Sequence, residues 1–257
     1  VINVVDILLT VLFVLVLDGG VAGAAWAAVI AEGSGLAAGL ALAWHVLGQR
    51  LDMPRAALFD RTKLMRMLAV NRDIFIRTAA LVVAFLFFSA QGARAGDVTL
   101  AANAVLHNFT LIGAFFLDGM ANAAEQLCGR AYGARNRLAF SRAMKLIVGW
   151  SLAFGLATSI VFALGGPFLI DAMTASADVR ETARLFLWLA VLTPVCGALA
   201  FAYDGIYIGA TWARDMRNLM ILALALYFAA WGLAQPLGNA GLWLALLTFY
   251  LARGVLQ

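Results

Sequence analysis

Asp118, Asn122 and Glu125 stand within about two helical turns of one another in the stretch GAFFLDGMANAAEQLCGRAYGARN, residues 113–136. The stretch is apolar enough to lie in a bilayer until Gly129 and Gly133, where it is expected to break into a basic turn carrying Arg130, Arg135 and Arg137. A carboxylate inside a membrane is costly, and those that proteins keep there mark ion or substrate paths. The competing reading is an acid hydrogen-bonded to a neighbouring helix for packing alone. At 100° per residue, Thr99, Asn103, His107, Thr110, Asp118, Asn122 and Glu125 fall in a sector of about 140°. Val105, Phe109, Ile112, Phe116, Met120 and Leu127 lie opposite. A packing acid needs no such stripe, whereas a helix lining a water-filled cavity does. The chemistry on offer is uptake and release of H⁺ or Na⁺ by Asp118 and Glu125, with Asn103, His107 and Asn122 on the cavity wall.

Two fainter constellations accompany it. Thr193, Gly197, Asp204 and Thr211 fall within about 40° of one another on a helical wheel, with Tyr207 beside them and Pro194 allowing a bend. Asp204 is thus a second candidate for receiving a cation, or else an acid near the membrane surface that reaches water or Arg214. Asp6 and Thr10 share a face one turn apart and together offer two oxygens to a proton or hard cation. Glu32 reads equally as a packing acid, His107 as a hydrogen-bond partner within the stripe, and His45 as a helix-end residue. Cys128 and Cys196 have no metal-ligand or disulfide spacing, so no metal is expected.

These residues need elements that hold them in a membrane. The chain of 257 residues is 64% hydrophobic and 12% charged, with mean hydropathy +0.93; soluble domains are about 25% charged. The apolar runs are long and lack a ten-residue alternation, which points to membrane helices and excludes a β-barrel. Eight spans are expected: 1–17, 21–47, 73–91, 98–128, 138–164, 181–208, 218–235 and 240–257. Asp18-Gly19-Gly20 is expected as a tight turn and Gly165-Gly166-Pro167 as the end of span five. Asp73 and Arg77, one turn apart, are placed to pair. Residues 48–72 are polar and basic and read as an amphipathic surface helix linking two lobes. The chain starts inside an apolar run without an initiator Met, and is expected to be the back part of a longer protein.

Eight spans place 15 of the 18 Lys and Arg residues on one side, which by the positive-inside rule puts the Val1 end and the basic loops in the cytoplasm. With basic residues distributed by topology, the net charge of +4 gives no reason to expect nucleic acid. An internal echo is also present. Gly20-Val21-Ala22-Gly23 followed by Trp26, and Gly238-Asn239-Ala240-Gly241 followed by Trp243, each open an even-numbered span after a short turn. This suggests two repeated six-helix bundles around a midplane site. Residues 1–47 would supply the last two helices of the first lobe, 48–72 the linker, and 73–257 the second lobe.

The runs LAANAVLHNF, FFLDGMANAAEQLCGRAYGARN and DGIYIGATWARDMRN resemble the MATE family of multidrug and toxic-compound extrusion transporters, and within it the DinF-like subgroup. The resemblance runs along the whole chain, which corresponds to helices five to twelve of a twelve-helix fold. It implies two six-helix lobes around a central cavity, and export of organic cations or other amphiphiles against inward H⁺ or Na⁺. It further implies a monomer in the bacterial inner membrane, with the bilayer and a small amphiphilic or cationic substrate as partners and no cofactor beyond the coupling ion. The family's first-lobe cation site uses an Asn and an Asp on helix five; those positions hold Asp6 and Thr10 here, and the Thr that helix six often contributes falls at Ala28. The sodium-coupled branch carries a Glu within helix seven. Span three here has only Asp73 at its edge, which favours proton coupling.

A cation-coupled exporter is therefore the leading expectation. A flippase for lipids or lipid-linked sugars is the alternative within transport; it would favour a basic cavity, and the only deep charges expected are acidic. A fragment that does not transport is a further alternative. An intramembrane enzyme lacks support, since HExxH, GxSxG and paired Asp-rich motifs are all missing. On this reading Asp118→Asn and Asp204→Asn would each remove coupling while leaving the fold intact.

Overall fold

Helices account for nearly every residue that the computed structural model describes, residues 2–47 and 59–257, and no strand occurs among them. Residues 48–58 of the expected linker lie outside the described residues. Among the described residues eight α-helices follow in order: α1 Ile2–Thr10, α2 Gly20–Leu47, α3 Arg61–Arg94, α4 Asp97–Gly133, α5 Arg137–Met173, α6 Ala177–Gly209, α7 Ala213–Ala234 and α8 Gly238–Leu256. A π-helical turn, Val11–Val16, continues α1, and a 3₁₀ turn, Gln235–Leu237, joins α7 to α8. Six helical stretches are long and apolar enough to cross a membrane; the last, Ala213–Leu256, holds both α7 and α8, while Ile2–Val16 is apolar but shorter. The chain divides into two compact units, 1–64 and 65–257.

In the first unit α1 packs on α2. The expected Asp18-Gly19-Gly20 turn is present, with positive φ at Asp18 and Gly20. A Cβ on Gly23 would lie 2.8 Å from the Phe13 carbonyl oxygen, so a glycine there lets α2 fold back closely on the preceding helix. The echo at Gly238 behaves alike. Gly238 has φ +58, and a Cβ on Gly241 would overlap the Ala234 carbonyl oxygen. Both copies of the motif thus turn the chain with the first glycine and admit the previous helix with the second.

The second unit is built around α6, which packs on α4, α5 and α8, while α7 packs on α8. The α4–α6 contact is backbone on backbone. Gly205 and Gly209, a small-xxx-small pair, face Ala121, Glu125 and Gly129 on α4. A Cβ on Gly205 would overlap the Ala121 carbonyl oxygen, and one on Gly209 would come within 2.6 Å of the Glu125 carbonyl oxygen. The aromatic core lies elsewhere, where Phe88 meets Trp243 edge-on at 5.0 Å and Phe109 meets Phe162 at 5.1 Å.

Several expected boundaries move, three of them for reasons visible in the contacts. Span three starts at Arg61 and not Asp73, because the Asp60 carboxylate accepts from the Thr62 and Lys63 amides and caps a single 34-residue helix. Its first turns carry Arg61, Lys63, Arg66 and Arg72 in exposed positions. Span four passes through Gly129 and ends at Gly133. There the Asn136 amide bonds the Ala131 carbonyl and the Arg135 amide the Tyr132 carbonyl, with Arg135 at φ +53. That is a Schellman end with arginine where glycine is usual, while Gly129, inside the helix, allows the close approach to Gly209 of α6. Span five runs through Pro167 to Met173, and Gly166 gives room to Leu187 of α6.

Replacing Gly205 by Leu should force α4 and α6 apart and cost roughly 1–3 kcal/mol or more of stability, read as a lower melting midpoint of the purified protein. Gly119→Leu, where a Cβ meets nothing within 4 Å, should leave the midpoint near wild type.

Candidate functional site

α3, α4, α6 and α8 bring charged side chains to one place. Asp204, on α6, is buried at 5% exposure. Arg77 of α3 donates from Nη2 to its Oδ2, Arg253 of α8 donates to the same oxygen at 2.6 Å, and Gln257 Nε2 reaches Oδ1 at 3.3 Å. Arg253 is buried, with its guanidinium carbon 5.5–5.9 Å from the ring centroids of Phe201, Phe249 and Tyr250. Cation–π contacts on three sides and one short ion pair are what let a guanidinium remain charged there.

A cavity of about 230 Å³ opens beside this cluster, lined by Arg77, Phe85, His107, Thr110, Asp118 and Arg253 among others. A second, of about 160 Å³, is lined by Asn122 and Glu125 and shares Arg77, Asp118, Phe201 and Asp204 with the first. Asp118 therefore stands in both. Among the described residues Asp118 makes no salt bridge, although it faces the same space as Arg77 and Arg253. The Asn122 amide donates to the Asp118 backbone carbonyl at 2.9 Å and leaves the carboxylate free.

The stripe on α4 is thus brought together in part: His107, Thr110, Asp118, Asn122 and Glu125 line the cavities. Asn103, expected on the wall, is buried in a polar clamp. It exchanges two amide hydrogen bonds with Asn239, at 2.7 and 3.0 Å, and accepts from the Trp243 indole N–H at 2.9 Å. Thr193, also expected on the wall, is buried, donates to the Ala190 carbonyl and sits 3.2 Å from the Thr110 hydroxyl. Tyr207 bonds the Gln257 backbone carbonyl and stacks edge-on with Trp212 at 5.5 Å. Asp6 and Thr10 share α1, and Asp6 Oδ1 is buried without a partner. A larger concavity of about 700 Å³ lies at the α4–α5 turn between Tyr132, Arg135, Phe140 and Trp212, apart from the four charges.

Two expectations about charge are corrected. Asp73 does not pair with Arg77; it binds Arg217 of α7 at 2.6 Å and Arg72 at 3.2 Å, and Arg77 points to Asp204 instead. The deep charges are not only acidic, because Arg77 and Arg253 lie among them. Both arginines were counted with the basic loops in the topological tally. The available signal was Arg253 following Phe249 and Tyr250 by about one turn on an otherwise apolar helix.

Residues 74–230 match the MatE family profile. The chain belongs to the MatE family. Over 257 residues it is 38% identical to the DNA damage-inducible protein F of Escherichia coli, covering 98% of this chain and 55% of that protein. It is 30% identical over 256 residues to a probable multidrug resistance protein NorM of Caulobacter vibrioides, covering 92% of this chain and 52% of the relative. Its fold matches the Vibrio cholerae MATE transporter VcmN in the bent form, with TM-score 0.85 and 19% identity over 99% of this chain and 58% of that one. The chain thus spans about half the length of the curated relatives it matches. Members of the MATE family are transporters and not enzymes, and this chain is an all-α, multi-pass membrane protein of that family.

The cluster predicts an asymmetry between its two acids. Asp204→Asn removes the counter-charge of the buried Arg253 and the half-buried Arg77 and should cost about 3–5 kcal/mol, as for one partner lost from a buried ion pair. This would appear as a lower yield and melting midpoint. Combining it with Arg253→Gln should recover part of the loss, since one unpaired charge then leaves as well.

Proposed function

We propose that this chain carries the proton-handling lobe of an antiporter that exports amphiphilic organic compounds across the bacterial inner membrane, coupled to inward H⁺. The observation that carries this reading is the unequal state of two carboxylates in one space: Asp204 is held by two guanidiniums, while Asp118 has none. The Asp204 carboxylate has both oxygens engaged by fixed donors. A carboxylate that faces a cavity without a fixed partner can alternate between charged and neutral forms, and so bias two arrangements of a transporter. Glu125 extends the same wall and serves as the next relay position. The basic loops, with the Val1 end, face the cytoplasm in this proposal.

Proton coupling is preferred to sodium because α3 offers a metal cation no acid but Asp73, which Arg217 and Arg72 already hold. The flippase alternative gains one point from Arg77 and Arg253, since it would favour a basic cavity.

The test is transport by the full-length protein in proteoliposomes with ΔpH and ΔNa⁺ imposed separately. Wild type should move substrate under ΔpH, and Asp118→Asn should lose at least 90% of that coupled flux (about 1.4 kcal/mol per tenfold) at wild-type abundance. Drive by ΔNa⁺ alone, or normal coupled flux in Asp118→Asn, would remove the proposal.

A further inference from the structure

The cavity beside Asp204 has more hydrogen-bond donors than its own acceptors can use. Arg253 is 2% exposed and carries five N–H groups, of which one is bonded to Asp204, and its Nε is buried without a partner. Arg77 Nε is also buried and unpartnered, and His107 Nδ1, on the same wall, has no partner either. Both Asp204 oxygens are already engaged. Against the spare donors stand the Asp118 carboxylate and the orphan Gln257 Oε1. Leaving buried donors empty is expensive, and guanidinium groups with free N–H edges match the oxygens of carboxylate, sulfonate or phosphate.

We infer that the cavity lined by Arg77, His107, Thr110 and Arg253 receives the anionic head of an organic substrate. This rests on the transport reading above and names its substrate class. At about 230 Å³ the space suits a charged head group, since whole drug-sized ligands need about 300 Å³ or more. Leu81, Phe85, Leu111 and Phe201 supply an apolar wall for the carbon beside the anion. The charges facing the cavity are Arg77 from α3, Asp118 from α4, Asp204 from α6 and Arg253 from α8, with His107 and Tyr250 as further titratable groups and Glu125 on the adjoining wall. With both acids ionised the four formal charges cancel. Protonating Asp118 leaves one net positive charge, which favours an anionic head in the cavity.

The test is equilibrium binding of radiolabelled p-aminohippurate, an organic anion, and tetraethylammonium, an organic cation, to the full-length protein in phosphatidylcholine nanodiscs. Hippurate is expected to bind at the cavity and tetraethylammonium to fail to displace it. Arg77→Gln and Arg253→Gln should each weaken hippurate binding by about tenfold. Asp118→Asn should strengthen it by about tenfold, a gain that misfolding cannot mimic. Loss of the hippurate signal in nanodiscs containing phosphatidylglycerol, with retention in phosphatidylcholine, would identify a lipid phosphate as the natural anion and still support the site. Binding of tetraethylammonium but not hippurate, or hippurate binding indifferent to all three substitutions, would overturn it. Proton-coupled export with no hippurate binding would sink this inference alone. Retained hippurate binding with export driven by Na⁺ would support it while removing the proposed coupling.

Discussion

The shared carboxylate of Asp204 is the interaction on which the second unit depends. It joins α6 to α3 through Arg77 and to α8 through Arg253, helices far apart in sequence. A lone carboxylate or guanidinium among apolar helices is penalised heavily, and three together are tolerated because each partly cancels the others. The consequence is a fixed distribution of charge. Asp204 is engaged by two arginines and Gln257, whereas Asp118 faces the same cavity without a fixed partner, and the proposed function gives proton exchange to Asp118 for that reason. A buried ion cluster of this kind contributes less to stability than to specificity, since hydrophobic replacements often fold as well; here it fixes the register of three helices and the electrostatics of a site.

The position of Asp118 relative to that cluster follows from the contact between α4 and α6. Without Gly205 and Gly209 the two backbones would stand apart, and the wall bearing Asp118 and Glu125 would move off the wall bearing Asp204. The polar clamp of Asn103, Asn239 and Trp243 ties the same α4 to α8, which carries Arg253. Small residues near one end and a saturated amide network near the other thus hold one helix against two partners, leaving the middle of its polar face open to the cavity.

Much of this was legible in the sequence, and the misses have identifiable causes. The order of the described helices followed from apolar length, and the α4 stripe followed from helical phase, because both are local properties. The two-glycine turn at Gly20 and Gly238 was visible as an echo, though its close backbone approach was not. Arg77 and Arg253 were misassigned because charge is ordinarily a surface signal, and the acid that buries them lies 127 and 49 residues away. Asn103 and Thr193 have the right helical phase for the cavity but were claimed by Trp243, Asn239 and Thr110, partners that phase alone does not reveal. Pro167 and Gly129 looked like breaks because their cost is local, while the packing that offsets it is tertiary.

The proposal that Asp118 is the carboxylate that exchanges protons can be measured without transport. Infrared difference spectra of the purified full-length protein between alkaline and acid pH report the carbonyl band of each carboxyl group that gains a proton. The account predicts a protonated-carboxyl band that disappears in Asp118→Asn and persists when Asp204 is replaced together with Arg253 in a folded double variant. A band that survives Asp118→Asn and vanishes with Asp204 would contradict it.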